Sequence, residues 1–217
     1  MNKKIFHCGL LIMLCALIFT GCLNDDKPEK ALNDIKIALN AKSLMKLSDR
    51  VNPDEFFSDT YEAVTIELAK KYDVYKENYP NDQYFQHNAE FLVAYNMENK
   101  NLHLKFLNDV KDAFFARTPE PATPKENPAA YVANEFEKIR QATTAKITKT
   151  RIEGNKSAIT LELTGDDSLQ GKFIGQITLE LEFFKDARNN WRFEKIRNLD
   201  ELTPILVDKI EPLWINP

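Results

Sequence analysis

Two histidines and a glutamate in the middle of the chain are the residues best suited to bind a metal ion. His87 and Glu90 are three positions apart, which places both side chains on one face of a helix, and His103 follows in the next helical stretch. Catalytic zinc takes about three protein ligands and a water molecule. The chain lacks a His-Glu-x-x-His pattern, however, and nothing in the sequence brings His103 close to His87. We therefore predict two surface histidines and no metal site.

Four tyrosines recur on one side of a long helical stretch and form a candidate binding face. They are Tyr61, Tyr72, Tyr75 and Tyr79. Tyrosine combines an apolar ring with a polar tip, which suits contact with a sugar or a peptide. Aromatic residues at helical spacing are also typical of the side of a helix that packs against the protein core. We predict core or helix–helix packing, with a binding face as the alternative.

The segment Gly165-Asp166-Asp167-Ser168-Leu169-Gln170-Gly171-Lys172 superficially resembles a phosphate-binding or a calcium-binding loop. Its two glycines are one residue too far apart for a phosphate loop, and neither Ser nor Thr follows Lys172. A calcium loop needs regularly alternating oxygen ligands and a terminal glutamate, which this segment lacks. We therefore predict a solvated loop between two strands.

Catalytic motifs are missing from the rest of the chain. There is no Gly-x-Ser-x-Gly elbow, and the 6 glycines include no Gly-x-Gly pair of the kind that binds dinucleotides. Three aspartates, Asp166, Asp167 and Asp186, fall in predicted loops rather than in a pocket. The sequence accordingly identifies no catalytic residue and no cofactor-binding residue.

The N-terminus has the order of a secretory signal. Lys3 and Lys4 precede an uncharged apolar run over residues 9–19, and small residues follow at Thr20 and Gly21. The run is shorter than the roughly 20 residues that a membrane-spanning helix needs. Phe19-Thr20-Gly21-Cys22 resembles the lipobox of bacterial lipoproteins. The resemblance implies removal of residues 1–21 and attachment of fatty acyl chains, palmitate among them, to Cys22.

Lipidation at Cys22 has two consequences. Residues 22–27 become a short tether, and five residues span at most about 17 Å, so we expect the folded body to lie close to the cell membrane or the outer membrane. The 3 cysteines are Cys8, Cys15 and Cys22, so the exported domain keeps no free thiol for a disulfide, a metal site or a nucleophile.

The charge of the chain limits its partners. The full sequence has a formal charge of −4, and loss of Lys3 and Lys4 with the signal makes the mature chain two charges more negative. Nucleic acids and anionic lipid surfaces are bound by clustered basic residues. Because no basic patch is visible in the sequence, we predict no nucleic-acid partner and a membrane contact made by the lipid rather than by the protein.

The first half of the chain has helical periodicity. Helices are predicted from Pro28, over residues 44–47, from Pro53 with Asn52 or Ser48 as its cap to Tyr79, over 83–98 and over 102–115. The helical part is 28–117. Residues 118–128 carry 4 of the 10 prolines and form a predicted extended connection, followed by a helix that starts at Asn127-Pro128.

Alternating patterns dominate the last third of the chain. Strands are predicted over 147–152, 157–164, 173–183 and 191–197, with a tight turn at Gly154-Asn155 and a closing helix over 199–210. With no helix expected between them, these strands pair antiparallel. The predicted fold is therefore α+β, one domain over 28–217, in which N-terminal helices pack on a four-stranded antiparallel sheet and 129–217 supply a helix and the sheet.

The region 147–197 is also similar to the cone-shaped ketosteroid-isomerase and nuclear-transport-factor-like superfamily. The similarity comes from the strand pattern and from Asn189-Asn190-Trp191-Arg192-Phe193, which opens the last strand. It implies a curved sheet with helices packed in its concave side, but no catalytic residue transfers.

We predict a lipid-anchored, non-enzymatic envelope protein that binds a protein or a small apolar ligand. The alternatives are an enzyme that performs acid–base chemistry in a cone-shaped apolar pocket and a structural or assembly protein of the envelope.

Overall fold

The computed structural model describes residues 27–116 and 123–210. The predicted signal peptide, Cys22, most of the tether and residues 117–122 of the proline-rich region lie outside the described residues. The described chain has an α+β fold, with helices first, an antiparallel sheet after them and a helix at the end. The predicted fold class is confirmed.

The helices begin and end where short-range signals place them. Pro53 and Pro128 each occupy the first turn of a helix, and the Asn52 and Asn127 side chains before them accept backbone N–H groups of that turn, as predicted. In chain order the helices are α1 (Pro28–Asn40), α2 (Leu44–Ser48), α3 (Pro53–Lys70), α4 (Tyr72–Asn78), a 3₁₀ turn (Gln83–Phe85), α5 (Ala89–Glu98), α6 (Lys100–Phe115), α7 (Pro128–Gln141), α8 (Leu169–Ile174) and α9 (Leu199–Ile210).

The four strands form a meander in which each strand pairs antiparallel with the next one in sequence. They are β1 (Thr143–Glu153), β2 (Lys156–Gly165), β3 (Gln176–Lys185) and β4 (Trp191–Ile196). The predicted two-residue turn between β1 and β2 is confirmed, and Gly154 adopts the positive φ of 63° that this turn requires. A bulge in β1 falls at Thr148, between the paired residues Ile147 and Lys149.

The core lies between one face of the sheet and the helices. β2 and β3 place alternate residues on this face, and α1, α3 and α8 contact the sheet. The buried sheet residues include Ile159, Leu161, Leu163, Ile177, Leu179, Leu181 and Phe183. Phe193 on β4 lies edge-on to Phe183 and to Phe56 of α3, with ring centroids 5.6 and 5.1 Å away, and so connects the sheet to the helices.

Two helix predictions are wrong in detail. The predicted helix up to Tyr79 is divided at Lys71, whose ψ of 18° leaves the helical range, into α3 and α4. The predicted helix over 83–98 begins at Ala89 instead, because Asn88 caps it by accepting the Phe91 N–H at 2.8 Å. Both errors arise where apolar periodicity continues across a local interruption of the backbone.

The prediction of a strand from residue 173, after a loop without a helix, is also wrong. Residues 169–174 form α8, which Ser168 caps by accepting the Gly171 N–H, and β3 begins at Gln176. Gly175 ends the helix at φ 62° and ψ −118°, a conformation accessible almost only to glycine. One short helix therefore lies between β2 and β3, although the strands still pair antiparallel.

Candidate functional site

A cleft of about 430 Å³ opens between α3, the β3–β4 edge and the start of α9. Its walls carry cations and carboxylates in equal number: Lys70, Lys195, Arg197, Glu67, Glu182 and Asp200. The carboxylate of Glu67 pairs with Lys70 at 2.6 Å, and that of Glu182 lies 3.5 Å from Arg197 and 2.9 Å from Lys156. The charges of the cleft are balanced and largely paired, so the cleft lacks the apolar character that is predicted for the cone-shaped pocket. That pocket stays a prediction.

A chain of buried polar groups crosses the helical layer. The Tyr61 hydroxyl of α3 lies 2.7 Å from His103 Nδ1 of α6 and 3.1 Å from the Asn96 carbonyl oxygen of α5. The Asn96 amide donates to the Thr65 hydroxyl at 3.2 Å. All four side chains are buried. Buried polar groups need partners, so this network fixes how α3, α5 and α6 pack.

The geometry of the network assigns the proton on His103. If Nδ1–H donates to the Tyr61 oxygen, the Tyr61 hydroxyl is free to donate to the Asn96 carbonyl oxygen, and both contacts are satisfied. Burial lowers the pKa of His103 and raises the pKa of Tyr61. Both groups are therefore neutral at pH 7 and serve as hydrogen-bonding groups rather than as charges.

Tyr84 faces the same network from the 3₁₀ turn. Burial raises the pKa of Tyr84, and the Asn96 side chain opposes that effect. Neither the Tyr84 hydroxyl nor Asn96 Oδ1 has a partner of good hydrogen-bond geometry among the described residues. The Tyr84 hydroxyl and Asn96 Oδ1 are therefore the least satisfied oxygens of the network.

The predicted tyrosine stripe lies in the core. Tyr61, Tyr72 and Tyr75 are buried, and Tyr79 is half-buried. Phe85 lies at the centre of the cluster, with its ring centroid 5.4 to 6.2 Å from those of four tyrosines: Tyr72, Tyr75, Tyr79 and Tyr84. Packing is the correct interpretation for the three buried tyrosines.

The structure separates the histidines of the candidate metal site. His103 is buried against Tyr61, so the prediction that it lies at the surface is wrong. His87 is exposed and its ring lies against that of Phe91, with centroids 4.1 Å apart and planes tilted by 40°, while Glu90 is exposed on α5. Across residues 27–116 and 123–210, no three His, Cys, Asp or Glu side chains are grouped as a metal ion would require.

The glycine-containing loop is a compact turn into α8. Asp166 Oδ1 accepts the backbone N–H and the hydroxyl of Ser168, which lowers the pKa of Asp166. A Cβ atom on Gly165 would lie 1.8 Å from the Gly171 carbonyl oxygen, so the two glycines are needed for their close approach. Asp166 and Asp167 are exposed, as predicted for loop residues, and Asp186 caps the β3–β4 turn.

The outer side of α5 exposes apolar residues to solvent. Phe91, Ala94 and Met97 form this α5 outer face, and Phe91 is 47% and Met97 36% exposed. The exposed side chain of Leu102 lies on the first turn of the next helix. The ring of Phe91 also stacks on the half-buried Tyr95 at 6.1 Å. Together they make an apolar, partly aromatic surface.

Sequence reasoning missed the α5 outer face, although a signal was present. Phe91-Leu92-Val93-Ala94-Tyr95 is an uninterrupted apolar run, so the middle of the helix carries apolar side chains on every side. Such a helix is normally surrounded by protein. Leu92 and Asn96 are buried, whereas the opposite side of the helix faces solvent.

Comparison with known protein families, curated proteins and solved structures finds no match to this chain. Within the described ranges, no helix is long and apolar enough to cross a membrane.

Proposed function

We propose that this chain is a lipid-anchored, non-enzymatic envelope protein that binds a protein partner through the α5 outer face. The observation that carries the proposal is the exposure of Phe91 and Met97 on a helix whose middle carries apolar side chains on every side. Exposed apolar patches rimmed by polar residues are typical of interaction sites. The anchor is Cys22, in the lipoprotein-like signal.

The charge around the α5 outer face favours a protein over a membrane. Glu90 and Glu98 are exposed on the same side of the helix and border the apolar residues. Anionic lipid headgroups would be repelled by these carboxylates. An apolar protein surface bordered by lysine or arginine would be attracted, and its burial against Phe91 would supply the binding energy.

The anchor is tested by replacing its cysteine. We expect Cys22→Ala to abolish lipidation and to release the protein from membranes, because the described body has no membrane-spanning helix. Cys15→Ala, inside the apolar run of the signal, is the matched control and should leave the protein in the membrane fraction. Fractionation and mass spectrometry of the mature N-terminus measure both effects. Undiminished membrane binding of Cys22→Ala would contradict the lipid anchor.

The binding surface is tested by photocrosslinking in native membranes. A photoreactive residue at position 91 or 97 should give one discrete adduct, whereas the same residue at position 37 should not. Ile37 is the matched control because it is also 47% exposed but lies on α1. Phe91→Ser should then remove the adduct formed from position 97. Equal adducts from positions 37 and 91 would contradict the assignment of α5 as the interface.

A stability measurement separates loss of binding from loss of folding. Phe91→Ser should change the free energy of unfolding by less than about 0.5 kcal/mol, because the side chain is exposed. Leu92→Ala, one residue further on the buried side, should cost about 2 to 5 kcal/mol. Urea denaturation of both variants checks the two orientations. A large loss of stability for Phe91→Ser would mean that Phe91 is part of the core.

A further inference from the structure

The two ends of the sheet carry different connections between secondary-structure elements. At one end lie both hairpin turns, formed by residues 154–155 between β1 and β2 and by 186–190 between β3 and β4. We call the segments 151–158 and 182–195 the turn end, since Arg151, Ala158, Glu182 and Lys195 lie level with one another in the paired strands. The opposite end carries the links from α7 into β1, from β2 through α8 into β3, and from β4 into α9.

Helix α1 runs away from the turn end. Arg50 donates to the Asp34 carboxylate at 2.7 Å and to the Trp191 carbonyl oxygen at 3.1 Å, which places the middle of α1 level with the start of β4. Beyond the other end of α1, Lys42 donates to Glu137 of α7 at 2.7 Å. Because α7 leads directly into β1 at Thr143, this contact lies towards the opposite end of the sheet.

The N-terminus of α1 therefore projects past the turn end. Pro28 precedes Asp34 by six residues, which is about 9 Å of helix. The five residues between the proposed lipid on Cys22 and Pro28 span at most about 17 Å. A lipid at Cys22 would thus hold the turn end nearer to the membrane than the opposite end of the sheet.

Basic residues gather at the turn end although they are scattered in the sequence. Its two segments contain six lysines and arginines and four carboxylates, within a chain whose formal charge is −4. Lys156 is paired with Glu182 and Glu194. Arg151 and Arg188 are exposed, and among the described residues the one salt bridge of the two is the long Arg151–Glu153 contact of 3.8 Å. They are the cations most available to an outside partner.

We infer that the turn end faces the membrane and contacts anionic lipid headgroups, which orients the body on its anchor. The inference rests on the lipid anchor of the proposed function, and it replaces the prediction that the lipid alone contacts the membrane. The α5 outer face binds a protein in the proposed function, so the two surfaces have different partners.

The orientation is measured with single labels on the full-length, lipidated protein in phosphatidylcholine vesicles that contain phosphatidylglycerol. Ala187→Cys at the turn end and Asp167→Cys at the opposite end change exposed residues, and the lipidated Cys22 offers no free thiol. A dye on each new thiol is quenched by a lipid that carries a quencher on its headgroup. We expect the dye at position 187 to lose most of its fluorescence and the dye at position 167 to keep it.

Charge reversal tests the role of the cations. Arg151→Glu with Arg188→Glu should reduce quenching at position 187 severalfold, because each basic residue near an anionic surface strengthens the contact about fivefold. Lys105→Glu with Lys172→Glu makes the same charge change at exposed residues elsewhere and should have little effect. For the protein without charge reversal, vesicles of pure phosphatidylcholine or high salt should reduce quenching at position 187 as the first pair of substitutions does.

The outcomes separate this inference from the proposed function. Equal quenching of the two dyes on a protein that carries its lipid would overturn the orientation alone. An equal response to the two charge-reversal pairs would overturn the headgroup contact. Absence of acyl mass on Cys22 would overturn the anchor, and the orientation with it.

Discussion

At the scale of single residues, the buried His103 shows how a titratable group can be retained as a neutral hydrogen-bonding group. Its Nδ1 atom lies 2.7 Å from the Tyr61 hydroxyl, in a layer that also contains Asn96, Thr65 and Tyr84. Burial lowers the pKa of His103 because the charged imidazolium loses its hydration. The imidazole is therefore stabilised in its neutral form.

Stability should consequently fall in mild acid. The unfolded chain binds a proton at His103 below about pH 6.5, whereas the folded chain resists protonation there, so folding loses free energy as the pH falls below that value. The slope is at most about 1.4 kcal/mol per pH unit for one proton. We expect His103→Asn, which keeps an N–H donor towards Tyr61, to flatten the dependence of the urea midpoint on pH between 5 and 7.5 (about the range in which histidine titrates).

The control for this measurement is His87→Asn, because His87 is exposed and lies outside the network. This variant should retain the pH dependence of the unsubstituted protein. If His103→Asn were as pH-dependent as the unsubstituted protein, His103 would not be the residue that limits stability in acid.

At the scale of secondary-structure elements, α8 shows why alternation alone misplaces a strand. Phe173, Gly175 and Ile177 alternate with polar residues, as in a strand. The Ser168 cap begins a helix before them, however, and Gly175 ends it with a positive φ. The cap at Ser168 and the positive φ of Gly175 therefore determine the secondary structure here, although the alternating side-chain pattern continues from α8 into β3.

Gly175 should tolerate no side chain, because a Cβ atom is strained at φ 62° and ψ −118°. We expect Gly175→Ala to lower the free energy of unfolding by about 1 to 3 kcal/mol. Asn189→Gly is the matched control: Asn189 also has a positive φ, of 63°, and glycine adopts it without strain, so this change should cost little. Urea denaturation compares the two, and an equal cost at both positions would contradict the role given to Gly175.

At the scale of the whole molecule, the carboxylate of Glu137 connects the segment after α1 to α7, the helix that leads into the sheet. Glu137 on α7 accepts hydrogen bonds from Lys42, which follows α1, and from Arg140 and Gln141. Arg140 also donates to Asn40 at 2.6 Å. Burial disfavours the charged form of Glu137, but the bonds from Arg140 and Lys42 outweigh it and lower its pKa to about 2.

Removal of this charge should weaken the contact between α1 and α7. Because the pKa of Glu137 is lowered, its contribution is present above about pH 4.5 and is lost as the pH falls towards 2. We expect Glu137→Gln to cost on the order of 1 kcal/mol at pH 7, since the pair is partly exposed and screened by solvent, and to reduce the loss of stability below pH 4.5.

Glu135→Gln is the control on the same helix, because among the described residues Glu135 forms a salt bridge only with its neighbour Lys138. It should cost no more than about 0.5 kcal/mol. Denaturation at pH 7 and pH 3 measures both variants, and equal costs would mean that Glu137 adds nothing beyond a local helical pair.

The sequence by itself determined the features that depend on neighbouring residues. Asn52-Pro53 and Asn127-Pro128 predict helix starts, Gly154-Asn155 predicts a hairpin turn, and alternation over 157–164 predicts a buried strand face. These features need only local hydrogen bonds and a repeating side-chain pattern. Fold class follows from their order along the chain, and the lipidation of Cys22 is a prediction made from the sequence alone.

Only the tertiary structure decided which of two similar residues is buried and which distant residues are neighbours. His103 and His87 both occur in helical stretches, yet one packs against Tyr61 and the other faces solvent. Phe91 and Leu92 are equally apolar, and only the position of α3 decides which is covered. The turn end is basic because the meander brings two hairpin turns to one edge. Burial and charge clustering depend on contacts between residues far apart in sequence, which local patterns do not encode.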